Sequence, residues 1–182
     1  MSADRGATIP WTTYEAEDMA TTGSVLGPGW LPGRVETESS GRRCVRLDAT
    51  NEYAQFTATG SANALVLRYS LPDAAGGGGV DATLSLYRNG AFERKLALTS
   101  RYTWMYGTYP FTNDPASGSP RQMFDEVRVL LPTINVGDII RLRKDSDDSA
   151  ARYDLDLVDL ETAPAPAAMP GDGLSITAYG AV

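Results

Sequence analysis

From Val80 to Leu86 the apolar residues fall on alternate positions, and an Asn89-Gly90 pair follows. Side chains repeat every two residues along a strand, so Val80, Ala82, Leu84 and Leu86 share one face. Asn-Gly supplies the two positive φ angles of a type I′ turn, so residues 92–98 return as the antiparallel partner. The same alternation runs through Leu65, Leu67, Tyr69 and Leu71, and around Ile139 to Leu142 after the turn at Val136-Gly137-Asp138. Further strands are predicted near 12–18, 43–48, 52–58, 124–131 and 152–161. In the last, Tyr153, Leu155 and Leu157 hold one phase, and Val158 and Leu160 the other. That switch predicts a β-bulge, or a strand whose second half faces a different layer. No segment carries a capped 3.6-residue pattern. The chain is therefore predicted to be all-β, a sandwich of two antiparallel sheets.

With 182 residues the chain is long enough for one core without disulfide staples. Cys44 is the single cysteine, so no internal disulfide is possible, and its place in a strand suits a small buried hydrophobe. Histidine is absent, which removes the commonest general base and metal-ligand nitrogen. The net charge of -7 repels phosphate, so nucleic acid is excluded as a partner. No run of 18 apolar residues exists, so no membrane partner is expected. The opening residues, MSADRGATIP, have no apolar signal core. The predicted organisation is an extension over 1–12, the sandwich over 13–161, a Pro/Ala-rich linker over 162–173, and over 174–182 the first strand of a following domain.

Two features carry the functional expectation. Tyr102, Trp104, Tyr106, Tyr109 and Phe111 crowd the long loop from Arg101 to Arg121, near a four-glycine tip (Gly76 to Gly79) expected to be flexible. Sugar rings present flat C–H faces that stack on aromatic rings, and Arg101, Asn113 and Asp114 could bond sugar hydroxyls. The alternative is that these rings fill the core beneath the loop. Glu15 and Glu17 would project from one face of the first strand, a costly pair unless a cation sits between them. Oxygen ligands favour Ca²⁺, and Asp154, Asp156 and Asp159 come late enough to join such a site; the alternative is an exposed acidic strand. These carboxylates are also the obvious pairs for glycoside hydrolysis, but neither pair adjoins the aromatic cluster in sequence.

Tyr14-Glu15-Ala16-Glu17, Ser40-Gly41-Arg42-Arg43-Cys44-Val45, Leu84 to Gly90 and Asp154-Leu155-Asp156-Leu157-Val158 together resemble family 6 and family 35 carbohydrate-binding modules, over residues 13 to 161. The resemblance implies a galactose-binding-like jelly roll. It also implies a structural Ca²⁺ held by Glu15, Glu17 and Asp156, with backbone oxygens near Arg42. It aligns Trp104, or in competition Tyr102, with the family's sugar-stacking tryptophan. Two other family site positions are here Cys44 and Asp154, so Tyr102, Tyr106, Tyr109 and Trp30 would have to rebuild the site, with Asp154 and Arg101 as polar partners. The tail from Gly173 to Val182 looks like the opening of pectinase-like parallel β-helices. The combination resembles the front of α-1,3-glucanases and mycodextranases of glycoside hydrolase family 87.

What this implies is a non-catalytic, monomeric, extracellular module. It would target a polysaccharide hydrolase to a glucan, with α-1,3-glucan the candidate, beside a β-helix catalytic domain. The alternative role is a structural accessory sandwich that packs on and stabilises that β-helix without binding sugar.

Overall fold

The computed structural model describes residues 9–110 and 112–180. Its strands are β1 (Trp11–Glu15), β2 (Ala20–Thr21), β3 (Ser24–Leu26), β4 (Cys44–Leu47), β5 (Tyr53–Thr57), β6 (Ala62–Ser70), β7 (Asp81–Arg88), β8 (Ala91–Thr99), β9 (Trp104–Met105), β10 (Arg121–Gln122), β11 (Asp125–Ile134), β12 (Ile139–Arg143) and β13 (Tyr153–Glu161). The only helical pieces among the described residues are short 3₁₀ turns. One sheet runs β11-β6-β13-β4-β3, with β1 also on β13; the other runs β2-β5-β12-β7-β8. All pairs are antiparallel.

The alternating residues build the core. Leu65, Leu67, Tyr69, Val158 and Leu160 from one sheet meet Phe56, Leu84, Leu86, Leu96, Ile140 and Leu142 from the other in a single cluster. Asn89 and Gly90 have φ of 51° and 83°, which turns β7 into β8 as the sequence requires. Pro132 lies in β11, an edge strand, where its missing N–H breaks no inner ladder.

β13 carries the bulge that the phase switch predicts, between Leu155 and Leu157 in its pairing with β6. Before it β13 pairs with β4, and after it with β1. Tyr153, Leu155, Val158 and Leu160 all reach the core, while Asp154 and Asp156 are buried outside that cluster.

Two stretches differ from the sequence reading. Residues 16–18, expected to continue the first strand, form a 3₁₀ turn, so Glu17 is not a strand neighbour of Glu15. The tail expected as a strand forms a 3₁₀ turn over Ile176–Tyr179, with its apolar side chains exposed. This segment joins none of the sheets.

The second sheet is pinned on its outer side by the 145–148 loop. Asp148 accepts from Thr83 Oγ1 at 2.7 Å, Ser85 Oγ at 2.8 Å and Lys95 Nζ at 2.8 Å. Asp145 accepts from Tyr87 Oη at 2.6 Å and from Arg143. Burial alone would raise the Asp145 pKa, but the donors from Arg143 and Tyr87 outweigh it and hold it at about 2. A depressed carboxylate pKa gives stability that is full above the unfolded value near 3.8 and lost as pH falls toward about 2. Asp145→Asn should therefore lower the melting temperature at pH 7, with the gap to wild type closing by pH 2. A gap of constant size across thermal melts from pH 7 to pH 2 would contradict this.

Candidate functional site

The long aromatic loop is partly regular. β9 and β10 form a two-stranded ribbon, with Gln122 opposite Trp104 and Arg121 opposite Met105. Trp104 is half-buried and donates Nε1–H to the Leu71 carbonyl at 3.1 Å. Tyr106 is buried; its hydroxyl donates to Asp73 Oδ2 at 2.6 Å and accepts from the Gly78 N–H at 2.9 Å. Burial and the Asp73 carboxylate push the Tyr106 phenol up, which keeps that donating proton in place. Asp73 Oδ1 takes the Ala74 and Gly79 N–H groups at 2.8 and 2.9 Å.

The glycine tip, expected to be flexible, is hydrogen-bonded through the Gly78 and Gly79 N–H groups to Tyr106 and Asp73. Gly77, Gly78 and Gly79 have φ of 82°, 86° and 77°, a region that side chains avoid. A Cβ on Gly77 would stand 2.3 Å from Pro115 Cβ, so the tip lies directly on the aromatic loop. Between them is an open cleft of about 540 Å³ lined by Asp73, Gly76, Gly77, Trp104, Tyr106 and Pro115, among others. Asp73 is the one carboxylate lining it among the described residues.

Of the described residues expected to touch sugar, only Trp104 and Tyr106 line this cleft. Tyr102 and Tyr109 sit on the same loop, 80% and 87% exposed. Arg101 is paired with Asp81. Trp30 lies in a separate groove with Pro28, Leu31, Arg34 and Glu36. Asp154 is fully buried, held by Arg46 Nε at 2.7 Å, Gln122 Nε2 at 3.3 Å and Arg152 Nε at 3.4 Å, so it faces no solvent-open site. Phe111 lies outside the described residues. Asp73 and Pro115 were missed; the signal for Asp73 was a carboxylate just before a run of glycine N–H groups.

The acidic cluster gathers at the β13 bulge. Ser40 donates its backbone N–H to Asp156 Oδ1 at 2.9 Å and its hydroxyl to Glu15 Oε1 at 2.9 Å. The other Asp156 oxygen is paired with Arg68. Burial pushes Asp156 up to about 6, with Arg68 opposing, and also raises Glu17, helped by Glu15 and Asp18. Glu15 Oε2 and Glu17 Oε2 are buried without a hydrogen-bond partner, which is costly, and their chemistry fits a hard, oxygen-seeking cation. Asp156 fits less well, since both its oxygens are taken. The three carboxylates are not among the described groups whose ligand atoms all lie within 4.8 Å of one another; Asp145, Asp147 and Asp148 are, and there Lys95 Nζ already supplies the positive charge. Cys44 is fully buried, and burial with Asp154 and Asp156 nearby pushes its thiol pKa up, so it is inert.

A family model described as "Alpha-1,3-glucanase catalytic domain D1" matches residues 8–163. The chain belongs to this family. The chain is also similar to solved structures. The Agl-KA catalytic domain is 34% identical with a TM-score of 0.88, over 99% of this chain and 32% of that one. The catalytic domain of a GH87 α-1,3-glucanase in complex with nigerose is 33% identical with a TM-score of 0.80, over 92% and 31%. The catalytic unit of a thermostable GH87 α-1,3-glucanase from Streptomyces thermodiastaticus strain HF3-3 is 33% identical with a TM-score of 0.79, over 96% and 30%. This chain thus spans about a third of the length of these structures. No curated protein matches it.

This match overturns the expected membership of carbohydrate-binding module family 6 or 35. The strings behind that resemblance are short strand, 3₁₀ and turn segments of a sandwich whose first and last strands pair, so they carry fold and not family. The non-catalytic assignment, the targeting role and the structural accessory role fall with it, because the matching family is part of a catalytic domain.

The Tyr106 hydroxyl is the hinge pin of the cleft. Tyr106→Phe should cost ~1 kcal/mol and strip the Gly78 amide of hydrogen-exchange protection while the core amides stay protected. Unchanged protection at Gly78 would show that the tip is held by other contacts.

Proposed function

We propose that this chain serves the hydrolysis of α-1,3-glucan as the D1 part of a catalytic unit, and that the Trp104–Tyr106 cleft receives the glucan. The observation that carries the reading is the family match over residues 8–163. Solved relatives in complex with nigerose and with tetrasaccharides support the substrate class. The chemistry of the cleft suits it. Trp104 offers a flat apolar ring for the C–H face of a sugar, and Asp73 offers carboxylate lone pairs to hydroxyls. Tyr102 and Tyr109 are exposed on the same loop. Glycoside hydrolysis needs two carboxyl groups across the scissile bond, and this cleft presents one. An insoluble polymer of this kind is met outside the cell, which is where the protein would work. The pairing of the first strand with the last supports describing the sandwich as a jelly roll that ends at Glu161, before the Pro/Ala-rich linker.

The intact protein should release reducing sugar from α-1,3-glucan and not from α-1,4- or β-1,3-glucan. Trp104→Ala should raise KM on the polymer more than it lowers kcat. Release from another glucan and none from α-1,3-glucan would overturn the substrate.

We also propose a structural Ca²⁺ at Glu15 and Glu17, with Asp156 as the third carboxylate of the cluster. The two partnerless buried oxygens support it. A cation bound only to the folded state stabilises by mass action. At a hundredfold excess over Kd, chelation should lower the melting temperature by about 5–10 °C, and Glu17→Gln should abolish the response. A melting curve indifferent to both chelator and added Ca²⁺ would refute the site.

A further inference from the structure

The end of the sandwich that bears the cleft has a second aromatic surface. Trp30 is 65% exposed and lines a groove of about 440 Å³. The loop that presents it is well braced. The Gly29 N–H bonds the Arg42 carbonyl at 3.1 Å, Thr37 Oγ1 bonds the Leu31 carbonyl at 2.9 Å, and a Cβ on Gly29 would stand 2.5 Å from Glu36 Cγ. A large ring held outward on a braced loop contributes nothing to the core and is ordered in advance for a contact.

A third groove, of about 300 Å³, lies between this surface and the Trp104 cleft. It is lined by Pro32, Gly33, Glu38, Met105, Pro120 and Arg121, among others. Pro120 also lines the Trp104 cleft, and Pro32 and Gly33 fall between Leu31 and Arg34 of the Trp30 groove. The three grooves therefore adjoin across the β9–β10 ribbon. Their charged lining is balanced, Arg34 with Glu36 in one and Arg121 with Glu38 in the next. A balanced, aromatic surface suits a neutral polyol and neither a phosphate nor an acidic polymer.

We infer that the Trp30 groove is a second contact for the same glucan chain, so that D1 grips an extended glucan at two aromatic platforms. The inference rests on the assignment of the Trp104 cleft to glucan. A short sugar fills one platform only. A longer chain engages the second intramolecularly, at a high effective concentration, and gains affinity without any change at the first.

The test is calorimetric titration of the 182-residue chain with α-1,3-linked oligosaccharides, from the disaccharide to the octasaccharide. Wild-type affinity should climb with length. Trp30→Ala should leave the disaccharide within about twofold of wild type and weaken the octasaccharide at least ~10-fold, with Trp30→Phe recovering most of the loss. Trp104→Ala should weaken every length. Octasaccharide binding unaltered in Trp30→Ala but lost in Trp104→Ala would overturn the second platform and leave the cleft standing. Equal losses at every length in Trp30→Ala would also overturn it, since Trp30 would then belong to the first contact. Failure of the wild type to bind any oligosaccharide would overturn both. Because Trp30 is exposed, its variants should melt with the wild type, and a matched melting curve excludes misfolding.

Discussion

Two carboxylates are buried on the outward side of β13, and the end of the molecule that bears the cleft depends on how they are satisfied. Asp154 and Asp156 are both fully buried. Buried charge is tolerated only when it is paired and hydrogen-bonded. Each therefore holds a loop in place. Asp156 takes the Ser40 N–H and the Arg68 guanidinium, and Arg68 in turn bonds the Glu38 carbonyl at 3.2 Å. Asp154 takes Arg46 and Gln122, and Gln122 belongs to β10. The bulge at Leu155/Leu157 makes this possible. It lets β13 switch partner from β4 to β1 while its apolar residues on both sides still reach the core.

From there the order passes outward to the cleft. Gln122 Nε2 also bonds Ser70 Oγ at 2.9 Å and shares the Leu71 carbonyl with the Trp104 indole. A few residues on, Asp73 fixes Tyr106 and the glycine tip. The aromatic platform is thus tied through a chain of hydrogen bonds to the central strand of the sheet. Sugar binding is weak per contact and sensitive to ordering cost, so a platform fixed in advance keeps more of what each contact yields.

The sandwich was legible because its signals are local. Period-two alternation in β6, β7 and β12, and Asn89-Gly90, state strand, face and register within a few residues. Even the bulge showed as a phase switch at Leu157/Val158. The site was much less legible, because it is made by contacts distant in sequence. Nothing near Asp73 says that its partner is Tyr106, 33 positions away, and nothing near Asp154 says that Arg46 will cover it. Trp30 and Trp104 looked like one site in sequence and occupy separate grooves. Short acidic strings at the first and last strands suggested one sandwich family and belong to another, since both arise from the same strand pairing. Glu15 and Glu17 were paired on the wrong geometry, yet the structure leaves an oxygen of each buried without a partner.

The most direct measurement is a two-dimensional amide and indole NMR titration of this chain with an α-1,3-linked tetrasaccharide. A glucan seated between the glycine tip and the aromatic loop should shift the Trp104 indole N–H and the amides of Gly77, Gly78 and Gly79. The amides of Asn89 and Gly90 at the β7–β8 turn should remain still. Shifts confined to other surfaces, or none at saturating sugar, would contradict a glucan-holding cleft at Trp104.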